Sequence, residues 1–349
     1  METNPTRARA LKWSARILFS GLIAFLTLEI ALRLFSTSIP RFIGNEVFSP
    51  YRHDPSGIFL KDSVTNHRFM RPLREQQVVF NNYTWLHQTD RWGFRNPADS
   101  PRDILLMGDS MIYGQGVDQE QTVSHFLRRD YNLPVYNMSR TGDSLLQQYV
   151  LLRTYLDEFK PKKVVFLVFI NDFADLDGYR QEGFDYPTVE KYDYDALLER
   201  RKSNEALPPM QVSYALRFLR YLPKHIKSDE EPRHPVRQKA GPVEEPGLTE
   251  FSKQTFRELL TDLSKRCRTR GVEMEIVFLY LGDHKNQFAE LQEPIDEFLT
   301  HLTSELEIPY TNTRGLFQTE DFLPTDGHFS LQGHRRLAEF LHNEVLKPT

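Results

Sequence analysis

Residues 17–35, ILFSGLIAFLTLEIALRLF, are apolar apart from Ser20, Thr27, Glu29 and Arg33. About 20 helical residues are enough to cross the hydrocarbon of a bilayer, so this run predicts a transmembrane helix. Arg7, Arg9, Lys12 and Arg16 precede it, and basic flanks stay cytoplasmic. The expected topology is a single pass, with a short cytoplasmic tail and everything after about residue 36 outside. Two other readings exist, a cleaved signal peptide and a buried core helix. A signal peptide would use ILFSGLIAFLTL as its apolar stretch, but EIALRL follows and offers no clear small-x-small cleavage site. Glu29 lies near the outer end of the run, where it can reach the headgroups or pair with Arg33 one turn on.

From residue 103 short apolar runs alternate with amphipathic ones. DILLM (103–107), PVYNM (134–138) and KVVFLVFI (163–170) read as strands, while QTVSHFLRRDY (121–131) and SLLQQYVLLRTYLDEF (144–159) read as helices. The alternation pauses from about 174 to 248, where GYRQEGFDYP, a charged run near 199–206 and KSDEEPRHPVRQKAGPVEEPG predict an insertion of loop and linker. Inside it, SYALRFLRYL (213–222) has helical periodicity; it is a helix packed on the domain, lying on the membrane or covering a cleft. Order resumes with a helix at 249–270, the strand VEMEIVFLY (272–280), a helix within 285–305, the strand IPYTN (308–312) and a last helix from about 331. Strand and helix in alternation predict a parallel sheet covered by helices. The chain therefore divides into a tail and anchor (1–36), a lead-in (37–100) and an α/β domain (101–349). The lead-in holds one strand-like run, QQVVF (76–80), and ends in DRWGFRNP, where Gly93 permits a tight turn and Trp92 and Phe94 can pack.

Composition narrows this picture. Hydrophobic residues make up 40% of 349 positions, which suffices for a real core. The net charge is -4 with basic residues spread along the chain, so no nucleic-acid partner is expected. Cys267 is the single cysteine, which excludes an internal disulfide and a thiolate metal site.

The chemistry collects at strand ends. In DILLMGDSMIYGQG the strand stops at Met107, Gly108 allows an abrupt turn, and Ser110 lies at the carboxyl edge, where open α/β sheets bind ligands. A serine hydroxyl needs a base, and the base works best when a carboxylate fixes its tautomer. TDGHFS (325–330) offers His328 with Asp326 two positions away; the same stretch is also a turn in which Ser330 caps the last helix. His334 and His342, on that helix, are expected at the surface. After the second strand comes Gly142, whose backbone N–H can approach a substrate; after the third come Asn171 and Asp172. The Asn171 amide can donate to the same oxyanion as the N–H groups of Ser110 and Gly142.

These blocks resemble the SGNH hydrolase superfamily, the GDSL esterases and lipases, from about Asp103 to the C-terminus. The resemblance implies a flavodoxin-like three-layer α/β/α fold, here preceded by the N-terminal transmembrane helix. It implies Ser110 as nucleophile and oxyanion donor, Gly142 and Asn171 completing the oxyanion hole, His328 as base and Asp326 orienting it. No metal or organic cofactor is implied. Two positions depart from the usual pattern. Phe169 stands where the third block usually has glycine, which can narrow the pocket, and the last block is Asp326-Gly327-His328 rather than Asp-x-x-His. The shorter form is similar to that of envelope proteins related to the alginate acetylation machinery, and membrane-anchored members commonly carry a GFR-like segment similar to Trp92-Gly93-Phe94-Arg95. The expectation is an inner-membrane, periplasmic serine esterase acting on acyl, especially O-acetyl, esters of a polysaccharide or on a lipid ester, with envelope polysaccharide-modification partners. An O-acyltransferase and an inactive envelope scaffold are the alternatives.

Overall fold

The computed structural model describes residues 5–49, 51, 57–61, 68–181, 213–225, 248–281 and 289–347. Most of the insertion expected at 174–248, including its charged and proline-rich runs, lies outside the described residues. The chain divides into two compact units, one of Met1–Gly57, Val78–Thr84 and Glu205–Val236, the other of Ile58–Gln77, Trp85–Asn204 and Arg237–Thr349.

In the first unit, helix α1 (Pro5–Leu34) is followed by α2 (Arg41–Phe48). Its Lys12–Leu34 portion is long and apolar enough to cross a membrane. The second unit starts with short antiparallel strands β1 (Phe59–Lys61) and β2 (Arg68–Met70). Strands β3 (Glu75–Phe80) and β4 (Tyr83–Gln88) form another two-stranded sheet. The rest builds the α/β body: β5 (Ile104–Met107), a one-turn α3 (Ser110–Tyr113), α4 (Val123–Tyr131), β6 (Val135–Asn137), α5 (Leu145–Phe159), β7 (Lys163–Val168) and α6 (Asn171–Gln181). In the first unit α7 (Tyr214–His225) follows in the chain. The body then resumes with α8 (Glu250–Arg268), β8 (Glu273–Phe278), α9 (Gln292–Glu305), β9 (Tyr310–Asn312) and α10 (Leu331–Phe340).

The five long-range strands pair in parallel in the order β6-β5-β7-β8-β9. This 2-1-3-4-5 order is the flavodoxin-like one, and it reverses between β5 and β7. Buried strands with helices on both sides read as apolar runs, because alternate side chains serve two cores. Leu106, Val165, Leu167 and Val277 join one core with Phe126 and Leu127 of α4 and Leu337 and Ala338 of α10. Their neighbours Leu105, Val164, Phe166 and Ile276 are equally buried and point to the opposite face. Helices α5, α6 and α8 pack on one another, with the rings of Phe173 and Phe256 stacked at 4.6 Å. Helix boundaries follow local chemistry. Ser144 and Gln147 close a capping box on α5, and Thr249 caps α8 through the Ser252 N–H.

Two expectations need correction. The strand after Pro161 ends at Val168, and the chain enters α6 at Asn171 without a pause, so helix continues to Gln181 where loop was expected. His334 is not at the surface. It is fully buried, because the inward face of α10 runs Gly333, His334, Leu337, Ala338. Its ring meets Phe329 edge-on at 5.7 Å, and burial drives its pKa down to about 3, so the ring is neutral. His342 is half-buried and stacks on Tyr131 at 4.1 Å. Cys267 is buried and free, its thiol pushed up to about 11 by burial.

A methyl group at Gly333 would lie 2.2 Å from the Asp321 carbonyl oxygen, which is backbone and cannot rotate away. Gly333→Ala is expected to destabilise the body by about 2 kcal/mol or more, as overpacking does. Urea denaturation followed by tryptophan fluorescence checks this; an unchanged midpoint would refute it.

Candidate active site

Strand β5 delivers the chain to the sheet edge at Met107, where it turns within two residues. Gly108 is required for this: a β-carbon there would sit 2.7 Å from Ile112 Cγ1 and 3.2 Å from the Leu167 carbonyl oxygen. Asp109 then caps α3, accepting from the Met111 N–H at 2.8 Å. Ser110 follows as the first residue of α3, at the carboxyl edge and beside the switch between β5 and β7.

Residues 321–330 form a closed loop over this edge. Leu323 N–H donates to His328 O at 2.7 Å, Ser330 N–H donates to Asp321 O at 2.8 Å, and Phe322 bridges Phe329. Gly327 has φ +79°, in the left-handed region that favours glycine. The turn thus folds Asp326 back beside the residue two positions on. His328 Nε2 lies 2.7 Å from Ser110 Oγ, and His328 Nδ1 lies 3.2 Å from Asp326 Oδ2. Asp326 is nearly enclosed, while His328 retains some exposure. Ser330 also caps α10 through the Gly333 N–H, so the turn and the paired side chains coexist in one loop.

Gly142 and Asn171 occupy the ends of the flanking strands. Gly142 has φ +73° in the loop after β6, and the buried ion pair Arg140–Asp143 at 2.7 Å pins that loop. Asn171 opens α6 after β7; its amide lies beside the Asp109 carboxyl, and its Oδ1 is buried without a hydrogen-bond partner. Phe169 is partly buried and packs against the core that contains α4 and α10.

Three further residues shape the site. Gln115 is buried; its Nε2 donates to Asp326 Oδ2 at 3.3 Å and lies 3.4 Å from His328 Nδ1. Its Oε1 accepts from the Thr141 hydroxyl at 3.0 Å, one residue before Gly142. Arg95 is fully buried and donates to the carbonyl oxygens of Tyr113, Gly114, Leu86 and Val117. Asn96 holds the end of β6 by accepting from Asn137 N–H and donating to Asn137 O. Only the Gly-Phe-Arg sequence hinted at this clamp; nothing marked Gln115. Among the described residues no cluster of three or more His, Cys, Asp or Glu side chains is arranged to hold a metal ion.

No family model matches the chain, and no curated protein matches it. Solved structures do. The chain is similar to the psychrotrophic esterase EstA from Pseudoalteromonas sp., with 12% identity and a TM-score of 0.39 over 68% of this chain and 93% of that one. It is also similar to an acetyl xylan esterase, AlAXEase, at 10% identity and 0.41 over 69% and 99%. A third is a GDSL-like lipase from Bacteroides thetaiotaomicron, at 8% identity and 0.37 over 71% and 89%. At these scores the likenesses assign no role to any residue here, and the chemistry rests on the distances above.

Behind Ser110 two carboxyls are enclosed together. Burial pushes Asp109 up to about 6, opposed by the Met111 N–H, His328 and the Asn171 amide. Asp172, which accepts from Phe169 N–H at 2.8 Å, is raised by burial and by the Asp109 charge. Between pH 4 and 6 the folded protein therefore keeps a proton that the unfolded chain has released, so this pair's contribution to stability falls as pH rises across that window. Asp172→Asn removes one of the two charges. It is expected to stabilise the protein relative to the parent by about 1–2 kcal/mol at pH 7 and by little at pH 4.5. Chemical denaturation at the two pH values measures this; a difference independent of pH would contradict the shared burial.

Proposed function

We propose that the chain is a membrane-anchored serine ester hydrolase of the SGNH type, with its α/β body outside the cytoplasm. The observation that carries the reading is the relay Ser110 Oγ, His328 Nε2, His328 Nδ1, Asp326 Oδ2, at 2.7 and 3.2 Å. A hydroxyl, an imidazole and an enclosed carboxylate in hydrogen-bond sequence, at the ligand edge of the sheet, are the parts of a nucleophilic acyl-transfer site.

In the first step His328 Nε2 takes the Ser110 proton as Oγ bonds to the ester carbonyl carbon, while Asp326 holds the Nδ1–H and favours the imidazolium. The oxyanion that forms is received by the N–H groups of Ser110 and Gly142 and the amide of Asn171. Collapse breaks the bond to the alcohol oxygen, which leaves with the proton from Nε2. Water repeats the sequence on the acyl-enzyme, releasing the acid and restoring Ser110. Phe169, the motive for the scaffold reading, packs partly buried against the core, which gives the ring that replaces glycine a structural place compatible with an active site.

The candidate transmembrane stretch Lys12–Leu34, with the basic residues before it, supports an inner-membrane anchor and a periplasmic body. That location favours O-acetyl esters on an envelope polysaccharide as substrate, with a lipid ester as the competing class and envelope polysaccharide-modifying proteins as partners. Transfer of the acyl group to a sugar hydroxyl would use the same acyl-enzyme.

A fluorophosphonate probe is expected to label the full-length protein in detergent and not its Ser110→Ala variant. His328→Ala is expected to remove nearly all hydrolysis of an activated acetyl ester, and Asn171→Ala to lower kcat by about 10²–10³, the scale of one oxyanion donor. A folded parent that takes no label sinks the enzymatic reading; an unchanged Asn171→Ala rate sinks only the oxyanion assignment. Acetylated sugar exceeding free acetate when oligosaccharide is added would mark a transferase.

A further inference from the structure

Glu29 is an ionisable side chain inside an apolar helix, where charge is expensive and marks a function or a partner. Its partners come from far along the chain. Oε1 pairs with Arg33 at 2.6 Å, and Oε2 accepts from the Ser213 hydroxyl at 2.9 Å and the Ala215 N–H at 2.8 Å. The carboxylate thus caps the start of α7. Around it, Leu32, Val47, Phe48 and Ala215 form a small core with Phe25, Leu28, Ile43 and Phe218 packed against it. Arg217 Nη1 donates to Val47 O, and Tyr221 OH donates to Phe42 O, closing α7 onto α2.

From Phe25 onward α1 is two-faced. Phe25, Leu28, Glu29 and Leu32 are covered, at the spacing of one helix face, whereas Ile23, Leu26, Ile30 and Leu34 are 49–72% exposed on another. Between the charged Lys12 and the first covered residue, Phe25, the twelve residues Trp13–Ala24 are exposed all round. At a rise of 1.5 Å per residue they span about 18 Å, against about 30 Å of hydrocarbon. About 12 Å of the bilayer must therefore be crossed by turns that α2 and α7 already cover on one side.

We infer that α2, α7 and the outer turns of α1 form a unit seated in the outer leaflet, with α7 lying in the headgroup layer against anionic phospholipid. This rests on reading α1 as an anchor. The chemistry of α7 fits that seat. Its sequence, YALRFLRYLPKH, carries Arg217, Arg220 and Lys224 and no acid; Arg217 is buried against α2, whereas Arg220 is exposed, and outside the span Phe35, Phe42 and Leu219 are exposed large apolar side chains. Basic and aromatic residues on such a helix suit the boundary between acyl chains and phosphate. At that depth backbone and charge must be satisfied by protein, and this accounts for Glu29: the carboxylate finds three donors within its own unit.

The test uses the full chain with Cys267→Ser, carrying a single Leu219→Cys, Phe42→Cys, Leu22→Cys or Leu331→Cys and an environment-sensitive fluorophore. Each is reconstituted into nanodiscs of phosphatidylethanolamine and phosphatidylglycerol, with and without spin-labelled lipid. Labels at 219 and 42 are expected to lose about half their emission to the lipid quencher, as a helix set 5–10 Å into the interface would, while the label at 331 keeps its emission. Quenching at 22 with none at 219 or 42 overturns the seated unit and leaves the anchor standing. No quenching at 22 overturns the anchor and the proposal with it. A second variant, Glu29→Ala, is expected to reduce quenching at 219 and leave that at 22 unchanged; equal quenching at 219 would separate α7 immersion from the Glu29 cap and refute that part.

Discussion

Four carbonyl oxygens, those of Leu86, Tyr113, Gly114 and Val117, converge on the guanidinium of Arg95, which no solvent reaches. A strand that turns into a single helical turn leaves backbone acceptors facing inward with no ladder to receive them, and an unmet buried acceptor costs about 1–3 kcal/mol. Arg95 meets several at once, at the expense of burying its own charge, which lowers its pKa. The tightness of the turn depends on this. Gly108 lets β5 pass close to Leu167, Gly114 ends α3 with φ +84°, and Ser110 is held between them at the sheet edge.

Strand order supplies the rest of the frame. Because β5 lies between β6 and β7, its carboxyl end has a neighbour on each side, and the loops after all three strands open onto one edge. Pairing of Met107 with Phe166 sets the register that brings Asp109 toward the start of α6. The loop that returns His328 comes from far along the chain; its own hydrogen bonds shape it, and Phe329 seats it in the core shared with Leu106, Leu167 and Val277. Loops closed by their own hydrogen bonds on one sheet edge hold Ser110 and His328, 218 positions apart, at hydrogen-bond distance.

Much of this was legible because strand ends and turns write themselves into short spans. The apolar runs gave all five body strands, and Ser110, His328 and Asp326 stood out because each follows a glycine-bearing turn or precedes a helix cap. His334 misled, since helical spacing shows which residues share a face, not which polar member of that face a core will enclose; a neutral imidazole against Phe329 is a tertiary outcome. Asp109 and Asp172 were visible as motif letters, but their mutual burial is a matter of strand register. Gln115, in a glycine-flanked run, looks like ordinary loop polarity until Asp326 is folded onto it. The insertion helix was read from its periodicity, whereas its bond to Glu29 joins residues 186 positions apart and leaves no local trace.

Gln115 ties together the two halves of the site. Its amide nitrogen and the imidazole N–H both address Asp326 Oδ2, so the carboxylate has donors on two sides and is held in one orientation. The amide oxygen of the same side chain holds Thr141, and the buried pair Arg140–Asp143 brackets the glycine that follows. The two ends are therefore coupled: Asp326 beside His328 and the loop that carries Gly142 are joined through one side chain. A planar amide with one donor face and one acceptor face is the side chain that can make both bonds at once. Glutamate would set a second charge against Asp326, and a hydroxyl is too short to span the gap. The row Ser110–His328–Asp326 and the Gly142 loop are thereby held by a single buried residue five positions after Ser110.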